Sequence, residues 1–263
     1  MGHLGSYFVK TVNGCLRSTL GVEVKRSQMQ GQRRGGWLRS LGVRSVIDVG
    51  ANTGQFATYV AALLPDATIY SIEPLPDCVA QLELLKRKGY KLRVFPYACG
   101  ASSSVGQFHR SEFSASSSLL PMARRHKELF PFTANGTIIQ TQVRRLDDLV
   151  TSEDIPAPLL VKLDVQGFED RVIHGGKATL ARAAVVLTEI NFEPLYEQQA
   201  DFESTYRLLV ECGFEFRGMW EQYFNTKTGC PVFGDALFTR RGLDGRESSH
   251  RQHCSGDSIV GHA

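Results

Sequence analysis

Ser45-Val46-Ile47-Asp48-Val49-Gly50-Ala51-Asn52-Thr53-Gly54-Gln55-Phe56 decides the fold of this chain. The apolar, β-branched start predicts a buried strand, the glycines a tight turn, and the residues after Gly54 a helix. A second apolar run, Ala67-Thr68-Ile69-Tyr70-Ser71-Ile72, closes on Glu73. Strand, glycine turn, helix and a second strand ending in an acid form a device for holding an adenosine-like cofactor. The glycines admit the ligand to the backbone, and the acid accepts hydrogen bonds from ribose hydroxyls.

The same rhythm extends outward from this stretch. Val43–Val49, Ala67–Ile72 and Leu92–Tyr97 read as strands. Gly54–Leu64 reads as a helix stopped by Pro65, and Pro76–Lys88 as one stopped by Gly89. Short βαβαβ connections predict a parallel sheet with helices on both faces. Gly100 to Gln142 breaks the pattern: Val105–His109 and Ile138–Arg144 alternate as strands around a serine-rich loop, Ser114-Ala115-Ser116-Ser117-Ser118. An excursion of this length is expected to be a lid or binding loop rather than a plain linker. Regularity returns with Leu159–Asp164 and Ala184–Glu189 as strands, Glu169–Ile173 and Phe202–Glu211 as helices, and Phe214–Gly218 with Pro231–Thr239 as an antiparallel pair. The expected organisation is a helical lead-in over 1–40, a core domain over 41–240 with an inserted hairpin and lid at 100–142, and a disordered tail over 241–263.

Composition narrows the partners. The chain has 263 residues, 42% hydrophobic and 22% charged, with a net charge of +3. Such a balance does not call for a nucleic-acid partner, and Lys25-Arg26 with Arg33-Arg34 reads as a solvated lead-in. Six scattered cysteines form no CxxC pair or zinc spacing; reduced thiols in a cytoplasmic setting are expected. The first residues lack an apolar signal core, and eighteen apolar residues never run together. A cytoplasmic protein without a membrane-spanning helix is expected, with peripheral membrane contact left open.

The turn also discriminates among cofactors. A nicotinamide enzyme uses G-x-G-x-x-G so that a pyrophosphate sits on the helix N-terminus. Here the order is Asp48-x-Gly50-x-Asn52-x-Gly54, with an acid ahead of the first glycine. Negative charge there opposes a pyrophosphate and suits the sulfonium and amino group of S-adenosylmethionine. A nicotinamide oxidoreductase is therefore disfavoured, and a catalytically silent cofactor-binding scaffold is the other alternative.

Three further segments carry a family resemblance: Ile72-Glu73-Pro74; Val161-Lys162-Leu163-Asp164-Val165-Gln166-Gly167-Phe168-Glu169; and Thr188-Glu189-Ile190-Asn191-Phe192 with Pro194-Leu195-Tyr196. With the opening turn they resemble the FkbM family of class I S-adenosylmethionine-dependent methyltransferases over roughly residues 43–218. The resemblance implies a Rossmann-like, seven-stranded, mostly parallel α/β sheet with helices on both faces and the last strand antiparallel. It implies Asp48, Gly50, Asn52, Gly54 and Phe56 around the methionine part of the cofactor, Glu73 on its ribose, and Ala98 near its adenine, which backbone groups would recognise.

By position Asp164 orients the cofactor's amino group, acts as a base, or holds a metal. Asp164, Glu189 and Asn191 offer three oxygen ligands that Mg²⁺ would accept, against the alternative that these acids serve structure and cofactor geometry. Gln166 stands where the family often has an acid, and an amide is no base. Glu169 is either a helix N-terminal charge or a site residue. His109 and His126 flank the serine-rich loop and are the candidate bases near neutral pH; for each, a structural or surface role is the alternative. Without an Asn/Asp-Pro-Pro-aromatic run after Asp164, oxygen is favoured over nitrogen as the methylated atom. The resemblance points to a hydroxyl of a sugar, glycolipid or related natural product. Phe192, Tyr196, Trp220, Tyr223 and Phe224 are the aromatic residues considered for stacking on a sugar ring, against a core role.

Overall fold

Strand β2 (Ser45–Val49) lies at the middle of the main sheet, between β3 (Thr68–Ile72) and β8 (Leu159–Leu163), parallel to both. All five residues of β2 and of β8 are buried, as a parallel sheet covered on both faces requires. The computed structural model describes residues 22–23, 36–150, 154–225 and 227–243. Most of the expected lead-in, and the tail beyond residue 243, lie outside these described residues.

The sheet continues through β4 (Leu92–Phe95) beside β3, and through β9 (Ala183–Asn191), β11 (Pro231–Arg240) and β10 (Phe214–Asn225) on the other side of β8. Only β11 among these seven runs against its neighbours, pairing antiparallel with both β9 and β10. The expected seven-stranded topology is present, and a two-residue strand β1 (Val22–Glu23) adds an eighth at the β10 edge. β10 is longer than the expected terminal strand. Three register shifts and the positive φ of Gly218 break its alternation, so the sequence pattern hides its continuation through Trp220, Tyr223 and Phe224.

One face of the sheet is covered by α1 (Gln55–Leu63), a short helical segment over 36–40 and Leu82 of α2 (Pro76–Arg87). The other is covered by α4 (Leu146–Val150), α5 (Glu169–Gly175), α6 (Lys177–Arg182) and α7 (Phe202–Glu211). α7 starts where Asp201 accepts the Ser204 amide at 2.8 Å, a side-chain cap on an otherwise free donor. Pro76 opens α2, and Gly89, at φ 94°, follows its end.

Between β4 and β8 the chain makes a separate three-stranded sheet of β5 (Ala98–Cys99), β7 (Gly136–Arg144) and β6 (Ser104–Ser111). β6 and β7 form a hairpin, with His109 opposite Ile138. Its long connection holds the serine-rich stretch and α3 (Arg124–Leu129). This connection is packed down: Ser116, Ser117, Ser118 and His126 are all buried. Its apolar residues Leu120, Leu129 and Phe130 form a satellite core with Leu195, Tyr196 and Val232.

Candidate active site

The glycine turn brings two strand ends nearly into contact. Gly50 has φ 81°, and a β-carbon there would lie 1.8 Å from the Asp164 carbonyl oxygen. Only glycine fits this crossing of β2 and β8. Gly54, at φ 89°, opens α1, and its missing β-carbon makes room for Leu85. Between them Asn52, at φ 48°, presents its amide to Glu73 Oε2 at 2.9 Å, while Leu75 donates to Oε1 at 2.8 Å. Each Glu73 oxygen thus takes one backbone N–H and keeps a lone pair for another donor. Burial nevertheless pushes this carboxyl up to about 7. The Asn52 side chain accepts from Thr53 N at 2.7 Å and from Ser114 Oγ at 3.0 Å, tying the serine-rich stretch to the turn.

Asp48 is 0% exposed, and neither carboxyl oxygen has a hydrogen-bond partner. Burial raises its pKa to about 6, against the pull of Lys162. Asp48 and Lys162 are register partners on neighbouring strands, so they share a face. Lys162 is buried, with Nζ 2.6 Å from Asp164 Oδ2 and 5.3 Å from the Phe56 ring centroid. Burial opposes its charge, but Asp164, Asp48 and Asp235 outweigh burial and raise its pKa.

For Asp164 the balance runs the other way. Burial favours the neutral acid, yet Lys162 and donors from Gln166 and Glu189 hold the carboxyl below its ordinary range. Glu189 differs: burial, then Asp164, Glu169 and Asp235, raise it well above its usual value. Asp235 is its register partner on β11. The site therefore sets Asp164, whose surroundings favour its charge, beside Glu189, whose surroundings favour its proton. Gln166 Nε2 bridges them, donating to Asp164 Oδ1 and Glu189 Oε2 at 2.9 Å each.

Several expectations need correction or refinement. Mg²⁺ finds no support: among the described residues no group of three His, Cys, Asp or Glu side chains is arranged for a metal. The reason is local, since Asp164 is engaged by an ammonium and an amide, and Glu189 accepts from the same amide. Glu169 is a structural tie, its Oε1 accepting the Val165 amide at 2.9 Å and the Gly167 amide at 3.3 Å. His126 is 3% exposed, edge-on to Phe130 and Tyr196, with both ring nitrogens unpartnered. Burial lowers its pKa to about 4. His109 lies on β6, exchanging backbone hydrogen bonds with Ser118. Ala98 is buried in β5 beside Val143. Of the aromatic residues considered for stacking, Tyr196 and Trp220 are core; Phe192 and Phe224 are exposed, and Tyr223 stacks on Phe233 at 4.2 Å between centroids.

Residues 48–216 match the family model described as the methyltransferase FkbM domain. The chain belongs to the FkbM methyltransferase family. Among curated FkbM-type relatives, the 2-O-methyltransferase NoeI of Sinorhizobium fredii is 29% identical over 171 residues, 62% of this chain and 70% of that protein. The 31-O-demethyl-FK506 methyltransferase FkbM of Streptomyces tacrolimicus is 30% identical, covering 56% of this chain and 65% of its own. The hexuronic acid methyltransferase AglP of Haloferax volcanii is 30% identical over 55% of this chain and 54% of that protein. A crystal structure of methyltransferase FkbM from Methylobacillus flagellatus superposes with a TM-score of 0.52 at 14% identity, covering 82% of this chain and 48% of the other. The last comparison supports the fold alone. This chain spans roughly half to two-thirds of the length of most of these relatives. Among the described residues no helix is long and apolar enough to cross a membrane.

The family's Lys-x-Asp spacing held a signal beyond Asp164 itself. Two residues apart on a strand, Lys162 and Asp164 must share a face, and the lysine is the counter-charge that keeps the acid ionised. Gln166, Tyr196, Ser114 and Ser118 carried no such signal, because their partners come from distant parts of the chain.

Proposed function

We propose that this protein uses S-adenosylmethionine to methylate a hydroxyl oxygen of a sugar, glycolipid or related natural product. The observation that carries the reading is the Asp48 carboxyl, fully buried without a partner at the head of the glycine turn. A buried acid with no hydrogen bond is costly even with Lys162 nearby, and a cationic group on an adenosine-bearing cofactor offsets that cost. Asn52 and Gly54 line the same turn, and Glu73 has lone pairs left for ribose hydroxyls. S-adenosylmethionine supplies a methyl group on a sulfonium, which an acceptor oxygen takes up by displacement.

The chain's own residues then supply alignment and proton removal. Asp164, held ionised by Lys162, is the group we assign to receive the hydroxyl proton. His126 is disfavoured by placement, being buried edge-on to Phe130 and Tyr196 with neither ring nitrogen hydrogen-bonded. Residues 100–142 act as a lid in this reading, with Ser114 seated on Asn52 to exclude water. The sugar preference draws support from the relatives named for a 2-O-methyltransferase and a hexuronic acid methyltransferase activity.

Calorimetry with S-adenosylhomocysteine against NAD tests the cofactor: binding of NAD alone refutes the reading. Mass spectrometry of glycans and glycolipids from a deletion strain tests the acceptor, with a loss of about one CH₂ expected in a single species.

A further inference from the structure

We propose that Gln166 is a positioning residue: its amide links closure of the 100–142 insert to the fixed orientation of the Asp164–Glu189 pair. The inference rests on the methyltransferase reading for the role of Asp164, and on geometry alone for the link.

Gln166 follows β8 in a left-handed turn, φ 58°, with Gly167 at φ 92° behind it. A non-glycine residue in that region carries strain, and its side chain shows what holds it there. Both N–H bonds of the amide are used, one on Asp164 and one on Glu189. The amide oxygen accepts the Tyr196 hydroxyl at 2.7 Å. That hydroxyl is also 3.1 Å from the Ser116 carbonyl of the insert. Ser118 Oγ returns to the Gln166 carbonyl at 2.8 Å. The insert therefore holds the Gln166 backbone directly through Ser118, and reaches its side chain through Tyr196, which lies outside the insert. Gly167 allows the approach, since a β-carbon there would meet Tyr196 at 3.3 Å and Leu120 at 3.4 Å.

In this chain the amide supplies both donors. A carboxylate at this position offers no donor and adds negative charge beside two carboxyl groups. An amide can face both acids only while its oxygen is turned toward Tyr196. When the insert lifts, the Ser118 hydroxyl leaves the Gln166 carbonyl, the left-handed turn is free to relax and re-aim the amide, and Asp164 loses one of its donors. Closure thus fixes the base at the moment water is excluded. The charged and titratable groups around the position are Lys162 of β8, Asp164 just after it, Glu169 of α5, Glu189 of β9 and Asp235 of β11 opposite it. Tyr196 and His126 face it from the insert side, and Asp48 lies beyond Lys162.

The test is hydrogen exchange of the segment over 111–120 in the full chain, where the Ser116, Ser117 and Ser118 amides are hydrogen-bonded. Rates are corrected for intrinsic pH dependence and compared with those of β8. Gln166→Glu is expected to exchange this segment at least about tenfold faster than wild type at pH 8 and within about twofold of it at pH 5, where the added acid is protonated. Tyr196→Phe is expected to open the same segment equally at both pH values. Wild-type protection in Gln166→Glu at pH 8, or equal loss at both pH values, overturns the proposal. If Gln166→Glu fails to fold, Tyr196→Phe decides, and wild-type protection in that variant overturns it. S-adenosylhomocysteine titrated into wild type separately tests the cofactor reading, and its failure leaves the exchange result interpretable.

Discussion

Replacing Asp48 with Asn should move stability and cofactor affinity in opposite directions. The side chain is fully buried, and its oxygens have no hydrogen-bond partner. Burial raises its pKa from 3.8 to about 6. A carboxyl whose folded-state pKa is raised favours the folded protein below its unfolded pKa, and the benefit is lost as pH rises through the folded value. A shift of roughly two units is worth about 3 kcal/mol. Without bound cofactor, Asp48→Asn is therefore expected to be more stable than wild type at pH 8 by up to about 3 kcal/mol. The difference should narrow through pH 6 and vanish near pH 4. Affinity for S-adenosylhomocysteine, whose amino group is cationic, should fall by about 1.5–3 kcal/mol, roughly tenfold to a hundredfold, on loss of a charge-assisted contact. Urea unfolding at a series of pH values gives the first quantity and titration calorimetry the second. A variant that is less stable at pH 8 and binds as tightly as wild type would refute the reasoning, because Asp48 would then be a structural residue.

Other outcomes follow from the same packing. Lys162→Met removes the counter-charge of Asp164 and Asp48, and should cost about 3–5 kcal/mol at pH 8, with a smaller loss at pH 5 as the acids protonate; urea midpoints at the two pH values check this. Gly50→Ala drives a methyl into the Asp164 carbonyl at a positive φ, so a destabilisation above about 3 kcal/mol is expected, read as a large drop in melting temperature. His126→Phe tests the buried imidazole. Its folded-state pKa is lowered from 6.5 to about 4, so its stabilising contribution is present above pH 6.5 and lost as pH falls toward 4. Between those values wild type should lose about 3 kcal/mol relative to the variant; parallel stability curves for the two proteins would show that burial does not restrain this histidine's charging.

Much of the fold was legible because its signals are local. The turn from Asp48 to Gly54 needs positive φ at Gly50 and Gly54, and buried parallel strands such as β8 read as continuous apolar runs. The end of β10 was not legible, since bulges interrupt the alternation on which strand reading depends. The buried serines of the insert were equally hidden. Their composition resembles a solvated loop, and only their contacts with Asn52, Val165 and Gln166 reveal a packed cover.

At the site, residue type and spacing carried part of the proposal. Asp48 ahead of the glycines is the residue on which the proposed cationic cofactor rests, and Glu73 and Asp164 lie just past the ends of β3 and β8. The sequence by itself determined the sheet, the turn and the family. Tertiary structure decided the charge states and partners. Asp164 and Glu189 are both buried acids, yet Lys162 holds one below its ordinary range, while burial and then acidic neighbours raise the other. Gln166, which by type is no base, is the donor that joins them. Such distinctions arise from burial and Coulomb interactions among residues far apart in the chain, which no local pattern encodes.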